Sequence, residues 1–162
     1  MPRYSGQIFQ GTVSTAYKSL GYLYASSGTQ ARRMAVYEMT MGLAGALNTS
    51  NDTQVLFDVT RFTTTSLLAG TAMTPSPLDG ADPATLALAF TNITTEIAAF
   101  AAAGAGLDLL NPAINQRGTY RWRALDDGDN LIIPATNLSG LAVRVLSLSY
   151  TGTAIGSISY LE

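Results

Sequence analysis

Two groups of residues in this chain carry side chains that could do chemistry. The first is the run Asp126-Asp127-Gly128-Asp129-Asn130. Paired carboxylates are the raw material of general acid–base catalysis, and their hard oxygens suit Ca2+. Catalysis would need a carboxyl tuned by burial or by a close neighbour. These acids instead sit among the Gly and Asn of a turn, which predicts a solvated hairpin tip. Calcium fits the ligand type better, but the acids are not spaced as in an EF-hand loop and no glutamate closes the run. The second group is Arg117, Arg121 and Arg123, interleaved with Tyr120 and Trp122. It superficially resembles a stacking platform for single-stranded nucleic acid. Strand alternation separates it: Tyr120 and Trp122 point to the core, and Arg121 and Arg123 point away, toward a partner.

The residue types that are absent matter as much. The chain has no histidine and no cysteine. The first absence removes the commonest general base and metal ligand, and the second removes disulfides and thiolate chemistry. No nucleophile elbow, Walker pattern or metal-ligand spacing occurs, and Gly104-Ala105-Gly106 lacks the lysine of a phosphate loop. Glycosylation sequons at Asn48, Asn51, Asn92 and Asn137 are of the kind that a Ser/Thr/Asn-rich chain produces by chance. The expectation is a protein that packs and binds: not an enzyme, with no catalytic residues, no cofactor and no metal.

The elements that would position these groups read as strands. Gln54 to Phe62 sets Val55, Phe57 and Val59 against Asp58 and Thr60, so one side faces the core. Ala31 to Met39, Gly118 to Leu125, Leu131 to Ile133, Leu141 to Tyr150 and Thr153 to Leu161 have strand character too. In Leu141 to Tyr150, Leu141, Val143 and Val145 oppose Ala142, Arg144, Leu146 and Leu148. Asp82 before Pro83 is a helix-start signal, predicting one short helix over Pro83 to Phe90. Thr94 to Ala103 is ambiguous between helix and strand, with a lean to strand. Residues 1–28 are rich in Gly, Ser, Thr and Tyr. They read as an extended N-terminal arm that packs along its own body or a neighbour, with Tyr4, Tyr17, Tyr22 and Tyr24 as candidate contacts; a first pair of ordinary strands is the competing reading. The fold class is thus all-β, with an arm (1–28) before a β-sandwich domain (29–162) of jelly-roll-like type. An open barrel is the alternative.

Charged residues make up only 12% of the chain, against about 25% in an average protein. Such a surface suits burial against other chains; the competing account is that Ser, Thr, Asn and Gln replace charge. Arginine dominates the cations: eight of the nine, with Lys18 alone, and arginine is favoured at interfaces. The net charge of −2 gives no generic attraction to nucleic acid or to an anionic membrane. No apolar run is long enough to span a bilayer, and the N-terminus lacks a signal-peptide apolar region.

The runs Asn115-Gln116-Arg117-Gly118-Thr119-Tyr120-Arg121-Trp122, Asp126-Asp127-Gly128-Asp129-Asn130 and Leu131-Ile132-Ile133-Pro134-Ala135-Thr136 resemble a group of tailed-bacteriophage capsid decoration (cement) proteins. Arg32-Arg33-Met34-Ala35-Val36-Tyr37-Glu38, Gly45-Ala46-Leu47-Asn48 and Ala102-Ala103-Gly104-Ala105-Gly106-Leu107 are similar as well, so the resemblance spans roughly Arg32 to Leu161. It implies a jelly-roll-like sandwich that forms homotrimers on the outside of the virion. There the trimers bridge major capsid proteins and stabilise the shell, after synthesis in the host cytoplasm. It carries no catalytic residues, and neither nucleic acid nor membrane is an expected partner. Tyr4, Tyr17, Tyr22, Tyr24, Arg117, Arg121 and Arg123 are the candidate contacts. The alternative is a glycan-binding sandwich of a phage adhesion module, its acidic tip holding calcium.

Overall fold

The structure is a computed structural model and describes residues 1–25, 30–44, 52–64, 69–96 and 108–162. Two antiparallel sheets pack face to face as a β-sandwich. The strands are β1 (Arg3–Thr12), β2 (Lys18–Tyr24), β3 (Met34–Ala44), β4 (Gln54–Thr63), β5 (Thr71–Met73), β6 (Ser76–Pro77), β7 (Leu88–Thr91), β8 (Asp108–Leu110), β9 (Ala113–Asn115), β10 (Tyr120–Arg123), β11 (Leu131–Ile133), β12 (Ser139–Leu146) and β13 (Thr153–Leu161). The first sheet has the order β10-β3-β13-β1-β6, with β11 also on β3. The second has the order β5-β7-β2-β12-β4-β8, with β9 also on β4.

The core lies between the sheets. Alternation supplies it: Met34, Val36, Met39, Met41, Ile158 and Tyr160 from the first sheet meet Val55, Phe57, Val59, Leu141, Val143 and Val145 from the second. Each such side chain, fully buried, contributes roughly 1.5–3 kcal/mol before entropy is counted. Tyr120 and Trp122 pack against this core while Arg121 and Arg123 are exposed, as their alternation requires.

The second sheet is buried on its outward face too. Tyr22, Tyr24, Phe62, Ile93, Leu138 and Ala142 form a second cluster there, with Leu88 and Phe90 against it. Tyr22 and Tyr24 each meet the Phe62 ring edge-on, at centroid distances of 5.2 and 5.8 Å. Gly140 lies across from both Tyr24 and Phe62 in register. A Cβ at this position would collide with the Leu23 carbonyl and the Tyr24 Cβ, so the close approach requires glycine.

Three expectations change, and a fourth falls mostly outside the described residues. Residues 1–25 are not an arm. β1 lies between β13 and β6, and β2 lies between β7 and β12, so these residues are strands of the sandwich itself. The short helix over 83–90 does not form. Residues 83–87 run without regular structure into β7, because their polar groups are bound by the far end of the chain. The Leu86 amide donates to the Glu162 carboxylate, and the Thr85 hydroxyl reaches Glu162 and Tyr160. Thr94 to Glu96 is irregular, and the rest of the tract through Ala103 lies outside the described residues, as do the stretches 45–48 and 102–107. Finally, the acidic run is not a hairpin tip. β10 and β11 do not pair with each other; both lie along β3, in the registers Arg123↔Glu38 and Leu131↔Val36. Residues 124–130 are therefore an excursion out of one interrupted edge strand.

Candidate functional site

The outward face of the first sheet can be read off its registers, because residues directly opposite one another point to the same side. One row across the sheet is Arg121, Thr40 and Ser157. The next is Arg123, Glu38, Ser159 and Ser5. A third is Ile132, Ala35, Leu161 and Arg3. The middle of the face is therefore small hydroxyls, linked to each other: Thr40 to Ser157 at 2.6 Å and Ser159 to Ser5 at 3.2 Å. Arginines stand at its margins. Arg121 donates through Nε to Glu38 at 2.8 Å, and this contact raises the guanidinium pKa above its ordinary value. Arg3 lies over the Tyr37 ring, 6.0 Å from its centroid. Arg123 has no acid within 4.0 Å among the described residues.

Where β1 begins and β13 ends, the excursion 124–130 stands over this face and makes two adjoining hollows. One, of about 180 Å3, is lined by Arg3, Tyr37, Arg123, Leu125, Asp126 and Asp127 among others. Its neighbour, of about 220 Å3, is lined by Met1, Arg33, Ala35 and Ile132. Asp127, Asn130 and Leu161 line both. The excursion is held by its own turn chemistry: Gly128 N donates to Asp126 Oδ1 at 2.7 Å, and Asn130 Nδ2 donates to the Asp127 carbonyl at 3.1 Å. Leu125 is 95% exposed. Among the described residues no group of three or more acids converges on a point where a metal ion would sit.

The candidate contacts divide sharply. Tyr4, Tyr22 and Tyr24 are core residues, at most 2% exposed, and reach no partner surface. Tyr4 stacks on Tyr160 and donates to the Pro83 carbonyl at 3.0 Å. Tyr17 is half-buried over Arg144, at 4.6 Å from ring centroid to guanidinium. Arg117 is exposed and pairs loosely with exposed Asp52 at 3.3 Å, a contact worth about 0–1 kcal/mol. Arg121 and Arg123 are the two that share the outward face of the first sheet.

The sequence reading passed over a third polar assembly, on the outward side of the second sheet. Asp58 and Arg144 are register partners on β4 and β12, and their side chains meet at 3.0 Å. Both side chains are under 8% exposed. Burial pushes the Asp58 carboxyl up to about 6; Arg144 draws it down, while the charge of Asp108 and a hydrogen bond with it raise it further. Burial, and next the charge of Asp58, push the Tyr17 phenol up as well. The available signal was that β4 and β12 carry apolar residues on both sides, Phe62 and Ala142 included, so their off-core positions are covered.

No protein-family model matches this chain, and no curated protein or solved structure does either. No helix among the described residues is long and apolar enough to cross a membrane.

Proposed function

We propose that this protein is a structural virion protein of the capsid-decoration type. In this reading it trimerises and bridges major capsid proteins on the outer surface of the head. The observation that carries the reading is the asymmetry between the sheets. Among the described residues the second is covered on both faces, whereas the outward face of the first carries small, mutually bonded hydroxyls with exposed arginine at its margins. Short side chains let another protein surface approach closely, and their mutual bonds hold the face rigid, so little order is lost on contact. Arginine supplies directional pairing with carboxylates and carbonyls at the rim. Many such modest contacts, repeated around a trimer and over a shell, sum to high avidity.

The test combines two measurements. Sedimentation should give a trimer. The wild-type protein should co-sediment with shells assembled from the major capsid protein encoded beside its gene. The Arg121→Glu/Arg123→Glu double variant, folded by circular dichroism, should lose most of that binding. A strictly monomeric protein that ignores such shells would sink the proposal.

A further inference from the structure

We propose that the two hollows beneath the 124–130 excursion form a saccharide-binding site that takes two adjacent sugar rings. The site goes beyond the decoration reading and does not depend on it. Three features point to a hydroxyl-rich ligand. First, the lining interleaves donors that cannot accept with acceptors that cannot donate. Arg3, Arg33 and Arg123 stand across from the carboxylates of Asp126 and Asp127, with no net charge preference in the first hollow. An anionic ligand would be repelled by the acids and a cationic one by the arginines. Sugar hydroxyls donate and accept at once and use both. Second, the floor is an apolar row, Leu161, Ala35 and Ile132, which the C–H face of a sugar ring can cover. Third, the hollows are small, each below the roughly 300 Å3 of a typical small-molecule pocket. They are separate but adjoining, with Asp127, Asn130 and Leu161 between them, which suits two linked rings better than one bulky ligand.

The excursion is what makes the site. An uninterrupted edge strand from Tyr120 to Ile133 would leave the face flat. Because residues 124–130 leave the edge and return to it, Asp126, Asp127 and Asn130 stand above the sheet as a wall. Asp126 is committed to the turn through Oδ1, which accepts from Gly128. The turn engages Asp127 through its backbone carbonyl, so its carboxylate is the acceptor we assign to the ligand. The site lies at the end of this outward face, where β1 begins and β13 ends. The hydroxyl rows lie in the middle, and Arg123 stands at the boundary between the two surfaces.

Saturation-transfer NMR tests this with a panel of neutral disaccharides, lactose, maltose, cellobiose and chitobiose, each at millimolar concentration with the full chain. At least one should receive saturation from the protein. Arg123→Ala and Asp127→Ala should each weaken that binding by about tenfold or more, the scale of one charge-assisted hydrogen bond. Arg61→Ala, an exposed arginine on the other sheet, should leave it unchanged. All three variants remove surface side chains, and circular dichroism should show them folded. The proposal is overturned if no disaccharide receives saturation, if binding survives both hollow variants, or if Arg61→Ala weakens it equally. A decoration protein that failed this test would still trimerise and coat shells.

Discussion

The Asp58 carboxyl should make this protein less stable as pH rises from about 4 to about 6, opposite to the trend that salt-bridged acids usually impose. Its ordinary value is 3.8, and in the fold it is raised to about 6, first by burial. A raised carboxyl holds its proton more tightly in the folded state than in the unfolded chain. Its favourable contribution is therefore complete below the unfolded value and is lost as pH climbs through about 6. The interval from 3.8 to about 6, at ~1.36 kcal/mol per pH unit, corresponds to about 3 kcal/mol. That is a large part of the roughly 5–15 kcal/mol that holds a domain folded. Asp108→Asn is the clean perturbation. It removes the like charge and the shared hydrogen bond that push Asp58 up, without stranding Arg144. The carboxyl should then fall toward its ordinary value, the pH slope should flatten, and the variant should be more stable than wild type near neutrality. Guanidinium unfolding midpoints measured across this pH window give the answer. Wild-type stability that rises over the window, or an Asp108→Asn slope equal to that of wild type, would refute the reasoning.

Arg144→Ala should cost about 3–5 kcal/mol near neutral pH, because it leaves the Asp58 carboxylate buried without its counter-charge; urea denaturation would measure it. Gly140→Ala should destabilise by roughly 1–3 kcal/mol through overpacking against Leu23 and Tyr24, read as a lowered thermal midpoint. Deleting residues 1–12 should abolish folding, since it removes β1 from between β13 and β6; a dispersed amide NMR spectrum from the truncated chain would contradict this.

How much of this was legible in the sequence follows from how each strand is covered. β4 and β13, and the segments β10 and β11, alternate between one buried and one less buried side, or carry their apolar residues at the expected parity, and they appear where their patterns put them. β12 ends earlier than its pattern, at Leu146, because the Ser147 hydroxyl accepts from Tyr150 N at 3.1 Å and turns the chain. β1 and β2 were hidden for another reason. β2 is buried on both faces, so Lys-Ser-Leu-Gly-Tyr-Leu-Tyr shows no polar-apolar alternation, and its tyrosines look like contacts for someone else. An extra residue at Leu20, opposite the Val143/Arg144 step, also breaks its period. The helix signal at Asp82-Pro83 is sound locally. It loses to Glu162, a partner about eighty positions away that no local window contains. Of the candidate site, Arg121 and Arg123 were legible from parity alone. The hollows were not, because they depend on β10 and β11 sharing one neighbour and on Arg3 and Leu161 arriving from the two ends of the chain.

The position of β13 has a consequence for how the molecule comes into being. It lies in the interior of the first sheet, hydrogen-bonded to β3 on one side and β1 on the other. As the ribosome delivers the chain, β1 and β3 emerge before β13 and wait, each with an open backbone edge, for a strand that follows all the other described ones. Sheets built from such distant pairings close on the slow end of the folding scale, in milliseconds to seconds. Until β13 emerges, the half-built layer displays two unfilled edges of matching register, which are as ready to accept β13 of a neighbouring nascent chain as their own. Polysomes making this protein are therefore where strand exchange between copies would begin.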